Sequence, residues 1–561
     1  MGVATSGITV PGTAGSIVTV TTGTGDYLQL AQAMAAALAA SSAAATLTVS
    51  SVSSGAAVPG FPTTKELIIA GGGGSSSVPP GYSYVVNVPN LNNPDTVSAA
   101  NTQVLSNDTG NTILISGKST VAATGGNNLV SASGGPYLIS TGAGNDTIYA
   151  AGAGTVAAGL GSNLVIAKGS SNFIIAAGTN DVVSQVSSNP SVGGSTTVQG
   201  LGANLSVSGS SNAADTLFVN VSASGSGATI SAGAGTANVT LASANSEVLG
   251  SSGTMNLQIS GTNDIAMLAG GNANVTISGS GDTLAGAGGS GLQVVQVTGS
   301  NDWVFGGSKG FVASVSGAGG ATDTIVGGTG GSTISAATAA VVLAAASANG
   351  ALQFIGGTGV STVVGAAGGT ETITVGSGGL IFGSNASNTA TITSGTGQAT
   401  IFGGSGSTAN FVGHAGGGVY FIAGNGNETL NAAGSADNNT LIASTVASST
   451  QQLIGGTGND TMFAGAGSST MTGGGGSDIF AFFKVSTNGH QNYITDFNSN
   501  DVVDLIGYDS TQSASQLEAF ATGPGVTGTG AGITLTLSDS TKITFTNLTS
   551  ISALNGKILV G

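Results

Sequence analysis

The sequence predicts an all-β fold, a parallel β-solenoid (β-roll or β-helix) of about 18 residues per coil, on three observations. The first is a nine-residue beat. Residues 455–463 (GGTGNDTMF) and 473–481 (GGGGSDIFA) both fit G-G-x-G-x-D-x-U-x, where U is a large apolar residue. A degenerate copy at 464–472 lies between them, with Ser469 in the Asp position. The second is a longer period. Acidic or Asn residues that precede an apolar pair fall at Asp108, Asn128, Asp146, Asn163, Asp181, Asp215, Glu247, Asp264, Asp282, Asp302 and Asp323. With Val198 and Ile230 filling two gaps, twelve steps cover 323 − 108 = 215 residues, which is about 18 per step and twice the nonapeptide. The third is the half-step: apolar doublets from Phe354 to Ile479 recur over thirteen intervals in 125 residues.

Each coil then reads as two short strands and two Gly-rich turns. Glycine supplies the positive φ and the close backbone approach that such turns require. One coil cannot bury its own apolar face, so stability comes from stacking coil on coil. Residues 101–481 are assigned to this array.

The flanks differ. Residues 1–60 form an N-terminal assembly segment. Within it, 8–20 (ITVPGTAGSIVTV) reads as strands around a Pro-Gly turn, Asp26 caps an Ala-rich helix at about 26–45, and 46–52 alternates as a further strand. Residues 61–100, rich in Pro, Gly and Ser, read as a linker or docking segment. Beyond 481 the beat stops. The runs 492–497 and 501–505, and a hairpin at 533–537 and 542–545 around Asp539-Ser540, predict a small β cap over 482–561.

Composition narrows the function. Of 561 residues 99 are Gly and only 5% are charged, while 40% are apolar, which is not the signature of disorder. The net charge of −16 and the absence of arginine argue against nucleic acid, which demands clustered Lys and Arg. The chain has no cysteine, so disulfides and thiolate metal sites are excluded. The Ala- and Ser-rich stretch 27–47 is too weakly apolar for a membrane span. The first 60 residues hold no Lys or Arg to form the basic region of a signal peptide.

The strongest chemical candidates are Asp460 and Asp478, 18 residues apart. One coil apart on the same edge, their carboxylates and the carbonyls of Gly456, Gly458, Gly474 and Gly476 suit a hard, oxygen-seeking cation such as Ca2+. A weaker copy at 141–149 (TGAGNDTIY) adds Asp146 and Gly144. A third variant, G-[TS]-N-D, ends at Asp181, Asp264 and Asp302. The plain alternative for each is a solvated turn carboxylate. Asp496, Asp501, Asp504 and Asp509 form the densest acidic cluster, which reads as a polar cap surface or a second cation site.

Catalytic readings fail. His414 and His490 are the only histidines and sit in no triad or metal spacing. Gly117-Lys118-Ser119 lacks the first glycine of a phosphate loop, because position 112 is Thr. Trp303, the sole Trp, reads as a packing residue.

These motifs resemble the RTX (repeats-in-toxin) family of calcium-binding β-solenoids exported by bacterial type I secretion. The resemblance rests on the two intact nonapeptides, on their sequel GGGGSDIFAFF, YITDF and DVVDL, and on the C-terminal TLSDSTKITFTNLTSISALNGKILVG. It is close over about 450–561 and extends across 101–450 as periodicity alone. It implies an extracellular bacterial protein with an uncleaved C-terminal export region. Most turns have lost the Asp, so few strong calcium sites are expected, and the coils are expected to hold by apolar and Ser/Thr/Asn ladders. The leading functional expectation is a non-enzymatic structural protein that self-assembles into an S-layer, filament or matrix. Its partners are further copies of itself and cell-surface polysaccharide. The alternatives are an adhesin or ice-binding module, whose mark is a flat face of Thr ladders, and a non-catalytic part of an RTX enzyme. No sustained T-x-T column is visible in the sequence.

Overall fold

The computed structural model describes residues 6–22, 28–60, 65–89, 93–107, 110–187, 191–289, 291–317, 322–338, 340–343, 350–412, 417–484, 489–508 and 532–561. Asp26, Asp108, His414 and Asp509 lie outside the described residues. The chain divides into two compact units, Met1–Leu284 and Ala285–Gly561.

In the N-terminal unit most short strands pair in parallel with the second strand along the chain, not the next one. One ladder runs Val49–Ser53, Glu66–Gly71, Tyr84–Pro89, Gln103–Ser106 and Ser119–Ala123. The other runs Ser75–Ser77, Thr96–Ala100 and Thr112–Ser116. Each coil therefore gives one strand to each of two sheets, which settles the architecture as a two-sheet parallel β-solenoid. Three long strands, Leu129–Ser140, Thr147–Ala158 and Leu164–Ala176, pass through both ladders, with register shifts at Ser133/Pro136 and Ala151/Ala153.

Inward residues repeat in register. Ile148, Val165, Val183, Val207, Ile230 and Val248 follow one another up one ladder, and all are buried. Period-2 alternation puts their neighbours outside. The expected amide ladders occur there: the side-chain amide of Asn256 donates to Asn238 at 2.8 Å, and that of Asn274 to Asn256 at 3.0 Å.

The flank assignments need two corrections. Residues 61–100 are not a linker: Glu66–Gly71, Tyr84–Pro89 and Thr96–Ala100 are full members of the ladders. Its described prolines, Pro79, Pro80, Pro89 and Pro94, fall at a strand end or in the connections between strands, where a missing N–H costs no ladder bond. Second, the N-terminal assembly segment packs on its own chain. Ser6–Pro11 and Ile17–Thr22 form an antiparallel hairpin, and the helix spans Gln29–Ala43. The helix buries Ala31, Met34, Ala35 and Leu38, spaced i, i+3, i+4, i+7 on one face. With Val10 and Val20 of the hairpin, this face packs on Ile68, Val86, Leu105 and Ala122 of the same chain. Each Val, Leu, Ile or Met side chain among them contributes roughly 1.5–3 kcal/mol when buried. The hydroxyl of Thr124 also donates to the Thr21 carbonyl at 2.7 Å.

The C-terminal unit has the same two ladders with a bulkier interior. Phe354, Ile373, Ile392 and Phe411 stack up one, and Val363, Phe382, Ile401 and Phe421 up the other. The ladders do not end at 481. Ile479–Phe483 pairs with Val502–Ile506, which pairs with Ile558–Val560, all in parallel. The cap is thus continued coil, with one antiparallel addition, Ile533–Thr536 on Lys542–Phe545. Among the described residues no helix is long and apolar enough to cross a membrane.

Candidate metal centre

The turn that enters the second ladder carries the repeated Asp or Asn. Its tight geometry follows from glycine. Gly474 and Gly476 adopt φ of 94° and 100°. A Cβ on either would strike the carbonyl oxygen of Gly456 or Gly458, one coil away. Gly144 adopts a φ of 148°, and a Cβ there would strike the Gly126 carbonyl. In the G-[TS]-N-D variant the turn is made by asparagine instead: Asn180, Asn263 and Asn301 have φ of 62°, 56° and 59°. Asparagine tolerates this left-handed region better than other side chains. The motif therefore specifies a turn that delivers the following Asp to the interior.

These acids are not solvated. Asp460 and Asp478 are 0% exposed, and Asp146, Asp181 and Asp501 are 1% exposed. Each accepts a hydrogen bond from the backbone of the preceding coil. Asn439 N–H donates to Asp460 Oδ1 at 2.7 Å, Asp460 N–H to Asp478 Oδ1 at 2.8 Å, and Asp478 N–H to Asp501 Oδ1 at 3.0 Å. The stacking of Asp460 on Asp478 follows the strand register, in which Thr461 pairs with Ile479. Amide members continue the same column. Asp95 N–H donates to Asn111, Asn111 N–H to Asn128, Asn128 N–H to Asp146, Asp146 N–H to Asn163, and Asn163 N–H to Asp181.

The members differ in what they have left to offer a cation. Asp460 is committed: Oδ1 also takes the Asn439 side-chain amide at 2.8 Å, and Oδ2 takes Gly456 N–H at 2.6 Å. Asp501 Oδ2 takes Asn498 N–H at 2.9 Å. Asp478 Oδ2 is buried with no hydrogen-bond partner. Burial, then the charges of Asp501, Asp460 and Asp496, pushes the Asp478 carboxyl up to about 7. Asp496 itself receives Gly473 N–H at 2.8 Å and Gly474 N–H at 2.7 Å. Asp504 is half-buried on the ladder beside it.

An unpaired buried carboxylate oxygen among like charges fits a hard cation, or a proton, and little else. Among the described residues no three His, Cys, Asp or Glu side chains gather closely enough to make a cage of side chains alone. A cation here would rest on Asp478 and on backbone carbonyls of the Gly-rich turns, the ligand chemistry of Ca2+. Asp146 Oδ2 is likewise buried without a hydrogen-bond partner, but Oδ1 takes both the backbone N–H and the side-chain amide of Asn128, at 2.7 and 3.0 Å, and Asp181 is the one like charge that acts on it.

Some residues escaped the sequence reading. Asn111 extends the column, and its signal is its register with Asn128. Glu371 is a buried carboxyl held by the Ala366 amide, and it sits in a strand without a turn motif. Glu428, which stands in the Asp position of the repeat copy 423–431 (AGNGNETLN), is likewise buried and held by the Gly424 amide. Trp303 is half exposed and stacks on Phe305 at 6.1 Å, so it dresses the outer face rather than the core. Comparison of the chain with protein-family models, with curated proteins and with solved structures finds no match.

Proposed function

We propose that this chain is an extracellular structural protein of a bacterium that self-assembles into an S-layer, filament or matrix. In this reading it is an RTX-type protein, exported by type I secretion, and calcium neutralises the run of carboxylates around Asp478. The observation that carries the assembly is the open edge of the ladders. Among the described residues, Val49–Ser53 pairs only with Glu66–Gly71, Ser75–Ser77 only with Thr96–Ala100, and Ile558–Val560 only with Val502–Ile506. Unpaired strand edges recruit further strands. Unlike edges meeting head to tail give an open-ended, heterologous contact. Negative-stain microscopy of the full chain with calcium and with a chelator tests this. Ordered sheets or filaments in calcium support it, and monomers in both conditions overturn it.

A second reading, an ice-binding or adhesive module, has one specific support. Thr370, Thr372 and Thr374 pair in register with Thr389, Thr391 and Thr393, and Thr389 with Thr408. Most of these hydroxyls point outward on one sheet, a T-x-T array that strand register creates and the linear sequence hides. Thermal hysteresis that disappears in Thr372→Tyr with Thr391→Tyr supports this reading, and its absence from the wild type removes it.

A further inference from the structure

The two sheets of the C-terminal unit have unlike outer faces. One carries the Thr, Asn and Gln rows. On the other, two outward rows run along seven coils from Thr362 to Ile479. Over its first five coils the first row alternates small and bulky, Thr362, Ile381, Thr400, Tyr420 and Thr440, and it ends on Thr461 and Ile479. The second is apolar where it matters most, with Phe402, Ile422, Ile442 and Phe463 in consecutive coils. Phe463 stacks on Phe483 at 5.7 Å, which extends the patch by one more ring. Ile381, Phe402 and Phe483 remain 39%, 44% and 46% exposed. No charged residue occupies either row between these limits.

We infer that this face binds the same face of a second copy of the chain, sheet against sheet. The inference rests on the assembly reading above and names a surface for it. Three arguments select a second copy. The first is apolar continuity: Ile381, Phe402, Tyr420 and Phe483 are each more than a third exposed on one face, and a contiguous exposed apolar patch marks an interaction site. The second is shape. Thr and bulky residues alternate with a period of two coils, about 10 Å. Two antiparallel copies offset by one coil therefore set the Ile381 and Tyr420 knobs of one over the Thr hollows of the other. A two-fold axis makes that fit reciprocal. The third is charge. The chain carries −16, so copies repel over most of their surface, and this uncharged strip is where approach is least opposed.

The test uses the full chain in calcium. Sedimentation velocity of Phe402→Asp with Tyr420→Asp is expected to show association weakened at least tenfold. Thr391→Asp, on the opposite sheet, is expected to leave it unchanged. Because the chain has no cysteine, Thr362→Cys, Thr400→Cys and Thr440→Cys each supply a single thiol on the face. At least one, the position nearest the two-fold axis, is expected to give covalent dimers with a short bismaleimide. These small outward changes keep the test valid if the Asp variant misfolds. A wild type that stays monomeric throughout overturns both this inference and the assembly reading. Assembly that survives in a folded Asp variant, or that yields no cross-link at any of the three thiols, overturns this inference alone.

Discussion

Asp181 in the N-terminal unit and Asp478 in the C-terminal unit occupy the same position in the coil and are equally withdrawn from water, yet their surroundings are opposite. Asp181 receives three N–H groups: Asn163 backbone at 2.8 Å, Asn163 side chain at 2.9 Å and Gly178 backbone at 2.8 Å. Asp478 receives one, from Asp460, and has three carboxylates around it. Burial raises the pKa of both, but for Asp181 donated hydrogen bonds work against that rise, while for Asp478 neighbouring charges add to it. At Asp181, where Asn and Asp alternate up the column, both carboxylate oxygens find donors in the chain, although Asp146 Oδ2 in the same run has none. At Asp478, where Asp follows Asp, one oxygen is left without a donor among like charges. On the proposed reading, the density of carboxylates along the stack, rather than the presence of one Asp in a turn, sets where a cation is expected.

The largest effect that sharpens this contrast is expected from removing the C-terminal pair. Asp460→Ala with Asp478→Ala takes away the acceptors of Asn439 N–H, Gly456 N–H and Asp460 N–H. Each buried donor left unmet costs about 1–3 kcal/mol. Calcium stoichiometry and the melting point of coils over about 450–561 are expected to fall, with the region about 150–440 changed little. Calorimetry that finds no calcium bound to the wild type breaks the idea.

Next in size is a pair of isosteric changes with opposite signs. Asp181→Asn keeps one carbonyl oxygen but turns an NH2 toward Gly178 N–H, donor against donor, and is expected to cost about 1–3 kcal/mol. Asp478→Asn removes a charge from among like charges and keeps the acceptor for Asp460 N–H. In chelator it is expected to raise the melting point, while calcium no longer raises it further. Thermal unfolding with and without calcium reads both. If the two variants shift in the same direction in chelator, the donor count is not what separates the sites.

Much of this was legible in the sequence, for identifiable reasons. The nonapeptides and the period of about 18 residues gave the coil, because stacking forces equivalent residues into register. The helix position was legible from its Ala-rich run. The hairpin at 533–545 was legible from strand alternation around Asp539-Ser540. The region 61–100 misled because Pro and Gly serve turns within coils as readily as linkers between domains. The N-terminal segment has few large apolar residues and builds no core of its own, since Ile68, Val86, Leu105 and Ala122 supply the other half. The Thr array and the apolar face were hidden for one reason: rows across a sheet join residues far apart in the chain, with a spacing that drifts from 19 to 20 and 21.

The smallest effect separates proton from cation in the N-terminal unit, where Asp264 and Asp282 are successive carboxylates. Asp264 N–H donates to Asp282 Oδ1 at 2.9 Å. Burial pushes both up to about 6 from an ordinary 3.8, and the Asp264 charge adds to the rise at Asp282. A carboxyl whose folded pKa is raised binds its proton more tightly when folded. Its contribution to stability is therefore fully present below the ordinary value and is lost as pH rises through about 6. In chelator, the melting point of the N-terminal unit is expected to decline by a few degrees between about pH 4 and pH 7, at about 2–4 °C per kcal/mol for a unit of this size. Asp282→Asn is expected to flatten that decline, because the pair then follows the Asn–Asp pattern of the coils below it. Calcium is expected to act only at the upper end of the window, where the carboxylates are free to bind it. A melting point that instead rises across this interval, in wild type and Asp282→Asn alike, means these acids are ionised in the folded chain at pH 4. Their position in the column would then be satisfied without proton or cation.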